Sequence, residues 1–297
     1  MPAFRRARQK KAPDMTHRWR LAILLALVAA VLGAGVAAFG QVHQRVYPAP
    51  TAPLSLSGLP EGSAFITVTA ADGLPLKGIE VAPRPGMPTF LFFHGNGSAA
   101  SDSIDWLSPL IAEGYGVVAA EYREYSGNPG RASEKGLAAD ADAFYARARQ
   151  TAGAGKLIVV GHSLGGGVAF GLAGRQTLDA LVTIGTFSSL HAMAPAIARP
   201  LLIDRYDNKA AVAKLDEPYF LIHGDADDVV PFAQGQALRA AAVAARRPGA
   251  MFAVHGAGHG PDAATLAMIL TAINAKVAAG GGKARVTLPA QVTLTPF

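Results

Sequence analysis

The 297-residue chain is 51% hydrophobic and only 16% charged, which excludes a disordered polymer and suffices for one well-buried domain with an appendage. Its formal charge of +6 is confined to the start: residues 1–20 hold seven Lys or Arg against Asp14 alone, and the remainder is balanced. With the body balanced, the charge argues for membrane topology and not for a phosphate-binding face, so no nucleic-acid partner is expected. The absence of cysteine excludes thiol nucleophiles, thiolate metal sites and disulfides.

After the basic segment 1–20, residues 21–39 form an uncharged run from Leu21 to Phe39. Nineteen helical residues rise roughly 28 Å, close to the hydrocarbon thickness of a bilayer. Basic residues precede the run and Trp19 marks an interface, so the sequence predicts a single-pass signal anchor. The N-terminus would be cytoplasmic and the remaining domain extracytoplasmic, periplasmic or extracellular. A cleaved signal peptide is the competing reading, since Ala38-Phe39-Gly40 is a small-x-small site. Residues 40–62, with Pro48, Pro50, Pro53 and Pro60, read as a linker that lifts the domain off the bilayer.

Residues 63–279 alternate short apolar runs with longer helical patterns. Phe65–Thr69 and Gly78–Val81 flank Asp72-Gly73 as an opening hairpin. Strands follow at Thr89–Phe93, Gly116–Ala120, Leu157–Val160, Leu181–Ile184, Tyr219–Ile222 and Met251–Val254. Helical patterns lie near 103–113, 134–150, 164–174, 232–246 and 260–278. Fully apolar strands alternating with helices predict an α/β fold: a mostly parallel sheet covered on both faces. Residues 280–297 read as a glycine-rich hinge and a strand-like tail.

The stretch Gly161-His162-Ser163-Leu164-Gly165 is G-x-S-x-G at the end of an apolar strand and the start of a small-residue helix. A turn that tight admits only small residues two before and two after the serine. It lifts the hydroxyl clear of the sheet and aims helix amides at developing negative charge. Ser163 is therefore the candidate nucleophile. A glycine-rich packing turn would explain the glycines but not the serine between them.

A serine needs a base, and in this arrangement acid and base follow the nucleophile in chain order. His259, in the loop Gly256-Ala257-Gly258-His259-Gly260 after the last central strand, is preferred to His255 at the strand end. Three carboxylates, Asp225, Asp227 and Asp228, follow the strand at Tyr219. Asp227 is preferred, four residues before Pro231, which is expected to open the next helix. The oxyanion donors are expected to be the amides of Leu164 and of Asn96, with Gly97 next after Asn96. His94 is expected to brace that loop, and His162 to line the pocket or serve a structural role.

Together, Phe92-Phe93-His94-Gly95-Asn96-Gly97, Glu121-Tyr122-Arg123-Glu124-Tyr125-Ser126, Gly161 to Gly166, Asp204 to Asn208 and His223 to Pro231 resemble the α/β-hydrolase superfamily. They are most similar to its small, N-terminally anchored branch that includes the bud-emergence hydrolases and serine-peptidase-like proteins. The resemblance spans roughly residues 62–279. It implies an α/β-hydrolase fold behind one transmembrane helix, and a triad at Ser163, Asp227 and His259 with oxyanion amides at Asn96 and Leu164. One departure stands out: the branch shows an arginine-glycine-tyrosine-glycine turn where this chain has Arg123-Glu124-Tyr125-Ser126, a charge expected to alter the pocket rim.

The interval 185–218, where lids are inserted in this fold, is short. It predicts a minimal cap of one or two small helices, with Phe187, Leu190, Met193, Ile197, Leu201, Leu202 and Ile203 as an apolar wall or as core. The expected substrate is a small or medium acyl compound, with a lipid or peptide at the membrane surface also admitted. No cofactor or metal is expected, because the histidines are not spaced as ligands and neither G-x-G-x-x-G after the first strand nor a P-loop is present. The leading reading is a serine hydrolase of carboxylic esters. A peptidase or amidase, an acyltransferase and a non-catalytic scaffold are the alternatives.

Overall fold

A computed structural model describes residues 37, 39–280 and 287–297. The chain divides into two units, residues 1–45 and 46–297. In the first, the described residues are helical. Nearly all of the predicted anchor 21–39 lies outside the described residues, among which no helix is long and apolar enough to cross a membrane.

The second unit is built on one nine-stranded sheet. In chain order its strands are β1 (Ala64–Thr69), β2 (Pro75–Val81), β3 (Thr89–Phe93), β4 (Gly116–Ala120), β5 (Leu157–His162), β6 (Ala180–Ile184), β7 (Tyr219–Gly224), β8 (Gly249–Val254) and β9 (Val292–Pro296). Their spatial order is β1-β2-β4-β3-β5-β6-β7-β8-β9. The six strands from β4 to β8 pair in parallel, whereas β1, β2 and β9 are antiparallel to their neighbours. Burial explains the pattern. Every residue of β3, β4, β6 and β7 is buried, as expected of strands covered on both faces.

Side chains alternate along each strand, so each one feeds two cores. Phe90, Phe92, Val117, Val160, Ile222 and Phe252 pack with α1 (Ala100–Trp106), α2 (Ser108–Ala112) and α8 (Ala263–Ala278) in one cluster. The opposite face carries α3 (Glu134–Ala152), α4 (Leu164–Ala173) and α7 (Phe232–Ala244). There Phe170 meets Tyr219 at 5.3 Å between ring centroids, and Phe232 meets His223 at 5.7 Å. Two short helices, α5 (Leu190–Met193) and α6 (Asn208–Val212), lie in the interval after β6.

Two expectations need correction. The helix predicted over 103–113 is two helices hinged at Leu107, because Pro109 stands in the first turn of the second and has no amide to continue the first. Residues 40–62 are not a free linker. Residues 39–46 are helical, and Val46 and Tyr47 are buried. The Tyr47 hydroxyl donates to Asp204 Oδ2 at 2.6 Å and lies 3.1 Å from the Tyr206 hydroxyl, and the Pro50 carbonyl accepts from the Ser126 amide at 2.8 Å. The strand-like tail, by contrast, forms the strand it suggests: β9 pairs with β8 from Val254 opposite Val292 to Ala250 opposite Pro296. Most of the glycine-rich hinge, residues 281–286, lies outside the described residues.

Candidate active site

The parallel strands end along one edge of the sheet, and the loops that follow β3, β5, β7 and β8 meet there. Ser163 is the single residue between β5 and α4, held at φ 52°, ψ −116°. A non-glycine residue in that region costs on the order of 1–2 kcal/mol, and the surroundings impose it. The Ser163 amide donates to the Ile184 carbonyl at 2.8 Å, while the Ser163 carbonyl accepts from Gly166 at 3.0 Å. Gly165 permits the crossing beneath: a Cβ there would overlap the Phe93 carbonyl oxygen and lie 2.6 Å from that of His94. Leu164 is the first helical residue, so its amide has no acceptor within the helix and faces the end of the turn.

His259 sits in the loop between β8 and α8. Its Nδ1–H donates to Asp227 Oδ2 at 2.9 Å, with Oδ1 at 3.2 Å. The Asp227 side chain is fully buried, and its Oδ1 also accepts from the amides of Val229 and Val230 at 2.9 and 2.8 Å. Beneath it, His223 Nε2 donates to the Val230 carbonyl at 2.8 Å and lies 3.4 Å from Asp227 Oδ2. Burial pushes the His223 imidazole below its ordinary value, so it stays neutral. Gly185, at φ +53°, floors this pair: a Cβ would stand 2.7 Å from the His259 carbonyl oxygen and 3.3 Å from Asp227 Oδ2.

The other carboxylates have different work. Asp228 is exposed. Exposed Asp225 accepts from His255 Nδ1 at 2.8 Å and from the Gly256 amide at 2.7 Å, and its carboxyl is held below the ordinary range by the His255 bond first. His255 Nε2 in turn receives the Thr293 hydroxyl at 2.8 Å. This chain of Asp, His and Thr repeats the order of bonds in a triad, but it is a surface clip that fastens β9 to the loop after β8.

The loop expected to supply an oxyanion amide follows β3. His94 is buried and its Nε2 donates to Glu121 Oε1 at 2.8 Å. Glu121 Oε2 accepts from the Ala100 amide at 3.0 Å, at the N-terminus of α1, where a carboxylate is favoured by the helix dipole. The Tyr122 hydroxyl donates to the His94 carbonyl at 2.7 Å. These contacts brace Asn96, which is exposed and lines a cavity of about 550 Å³ shared with Ser163 and His259.

Sequence reasoning placed His162 beside the pocket, and it lines this cavity. Its Nε2 donates to the His259 carbonyl at 3.1 Å, and its pKa is pushed down to about 4 by burial and then by the neighbouring His259. Two residues were missed. Trp106 closes the cavity with its ring edge-on to His162 at 5.1 Å, and its Nε1–H donates to the Pro261 carbonyl at 3.0 Å, pinning the loop that carries His259. Glu121 was seen only within a resemblance motif, because its role depends on β4 lying beside β3. The expected cap wall is also corrected. Phe187 is core, Ile197 and Ile203 face outward, and the cavity's apolar lining comes instead from Phe92, Trp106, Val229 and Pro261.

The departure in the Arg123-Glu124-Tyr125-Ser126 turn has a backbone consequence. Glu124 and Ser126 take φ values of 73° and 51°, the left-handed region in which glycine is at ease. Glu124 turns its carboxylate onto the Ala132 amide at 2.7 Å and is not among the residues lining the cavity.

Comparison with known proteins agrees with this architecture. Residues 88–210 match the α/β hydrolase fold family. The chain is 33% identical over 255 residues to an uncharacterised protein of Mycobacterium tuberculosis, covering 82% of this chain and 89% of the relative. It is 30% identical over 176 residues to the lysophosphatidylserine lipase ABHD12 of Danio rerio, covering 51% of this chain and 46% of that one. Among solved structures, a puromycin-hydrolysing peptidase of Mycobacterium tuberculosis superposes with a TM-score of 0.60 at 19% identity, over 78% of this chain and 41% of that one. An esterase of Pyrococcus furiosus superposes with a TM-score of 0.57 at 18% identity, over 79% and 95%. At such identities the two structures speak for the fold, and the longer sequence matches carry kinship. With the parallel sheet, the strained turn at Ser163 and the bonded Asp227 and His259 at one sheet edge, they make this chain a member of the α/β hydrolase family.

Proposed function

We propose that the protein is a serine hydrolase that cleaves carboxylic esters through an acyl-enzyme while tethered to a membrane by residues 21–39. The observation that carries this reading is the His259–Asp227 bond at 2.9 Å, in a cavity shared with a serine on a strained strand-to-helix turn. Asp227 would hold the imidazole with its proton on Nδ1, leaving Nε2 to take the Ser163 proton as Oγ attacks the acyl carbon. The amides of Leu164 and Asn96 would receive the oxyanion, an interaction worth roughly 3–4 kcal/mol per well-placed donor. Protonated Nε2 would then release the alcohol, and water activated by the same nitrogen would free Ser163.

A cavity of about 550 Å³ with an apolar wall suits a small or medium acyl group. The likeness to a lysophosphatidylserine lipase supports an ester of a lipid among the substrates. Basic residues 1–20 ahead of the apolar run support a cytoplasmic N-terminus with the catalytic unit on the other side. The test is turnover of a series of p-nitrophenyl esters by the full chain and by its Ser163→Ala form. Hydrolysis by the wild type that is lost in the variant is expected. Equal hydrolysis by both would refute the nucleophile.

A further inference from the structure

Residues 193–203, Met-Ala-Pro-Ala-Ile-Ala-Arg-Pro-Leu-Leu-Ile, contain one charge in eleven positions. In a soluble cap such a strap would turn its large side chains inward. Here Ile197 is 89% exposed and Ile203 77% exposed, the two most exposed large hydrophobics among the described residues. The strap is nevertheless anchored at its root. The Leu190 amide donates to the Arg205 carbonyl at 2.8 Å, and the Lys209 amide to the Ser188 carbonyl at 2.9 Å. Its one charge, Arg199, bonds the Ala194 carbonyl at 3.2 Å.

The chain's own path gives the strap its partner. Asp204, next to Ile203, accepts the hydroxyl of buried Tyr47 at 2.6 Å. Tyr47 lies eight positions after Phe39, the end of the uncharged run. A carbonyl of the same segment, that of Pro48, borders Gly97 in the loop after β3. The strap, the buried Tyr47 and the entrance to the site thus share the carboxyl edge of the sheet.

We propose that the 193–203 strap inserts Ile197 and Ile203 into the headgroup–acyl boundary of the lipid bilayer that holds the apolar run 21–39, and so turns the site toward esters in that bilayer. Branched apolar side chains with few charges are suited to that layer, and burial of their area drives the insertion. The inference rests on the reading of residues 21–39 as an anchor, and its test separates the two.

The chain has no cysteine, so Ile197→Cys accepts a single environment-sensitive fluorophore in the otherwise native full chain. Val243→Cys is the control: it is 48% exposed near the end of α7, at the opposite edge of the sheet. Each labelled protein is reconstituted into phosphatidylcholine–phosphatidylglycerol vesicles, floated on a density gradient and titrated with nitroxide-labelled acyl chains. The expected result is a blue-shifted emission at residue 197 with quenching several-fold stronger than at residue 243. Flotation with residue 197 as water-exposed as residue 243 would overturn the strap and leave the anchor standing. Shielding at residue 197 without quenching by acyl chains would overturn it in favour of a protein surface. Failure to float would remove the anchor and the strap with it.

Discussion

Gly185→Ala is the substitution that reads the packing of the His259–Asp227 pair most sharply. Gly185 stands at φ +53°, where an alanine costs about 1–2 kcal/mol in backbone strain. The new Cβ would lie 2.7 Å from the His259 carbonyl oxygen, 3.2 Å from His259 Nδ1 and 3.3 Å from Asp227 Oδ2, the last two being the atoms bonded at 2.9 Å. The loop that carries His259 must therefore yield by several tenths of an ångström. Strain and contact together should lower unfolding free energy by about 2–3 kcal/mol. Misplacement of a catalytic group by ~1 Å costs on the order of a hundredfold, so a smaller displacement should lower kcat by roughly ten- to a hundredfold. Urea denaturation and ester turnover by the full chain read both quantities. Gly256→Ala provides the control: φ is +73°, but no atom lies within 4 Å of the added Cβ. It should lose stability by about 1–2 kcal/mol and keep its kcat. A Gly185→Ala protein as stable and as active as wild type would refute the packing.

Asp227→Asn should lower kcat by about 10³–10⁴-fold, while exposed Asp228→Asn stays near wild type; the reverse ranking in ester kinetics would move the acid by one residue. Ser126→Gly should stabilise the fold by about 1 kcal/mol in thermal or urea melts, since it relieves a φ of 51° and removes a buried hydroxyl without a partner. His162 links stability to pH. Its pKa is lowered from 6.5 to about 4, so its neutral form belongs to the fold; the contribution is complete above pH 6.5 and is lost as pH falls through about 4. The shift corresponds to roughly 3 kcal/mol, and His162→Gln should flatten the acid limb of a stability profile measured by urea titration.

The sequence carried the sheet because each central strand is a short, continuous apolar run bounded by turn residues. Thr89–Phe93 and Gly116–Ala120 are strands over the residues that the pattern predicts. The serine turn was legible for a similar reason: only glycine fits where Gly165 crosses the end of β3. Choosing among Asp225, Asp227 and Asp228 was harder, because all three sit in one loop. What separates them is burial and the amides of Val229 and Val230, which spacing near Pro231 only hinted at. Trp106 stayed hidden as one aromatic residue in a helical pattern, since its meeting with Pro261 joins parts of the chain far apart in sequence. The packed state of Tyr47 was hidden by the prolines around it, which mark irregular backbone whether it is free or bound. The left-handed backbone of Glu124 and Ser126 could be suspected only from the glycines that a related turn places there.

Covalent labelling reports whether Ser163 is an activated nucleophile. The full chain would be treated with a fluorophosphonate and the modified peptide mapped by mass spectrometry. One adduct is expected, on Ser163, that disappears in Ser163→Ala and forms far more slowly in Asp227→Asn. An adduct on another residue, or a folded wild-type protein that ignores the probe while it turns over esters, would contradict it.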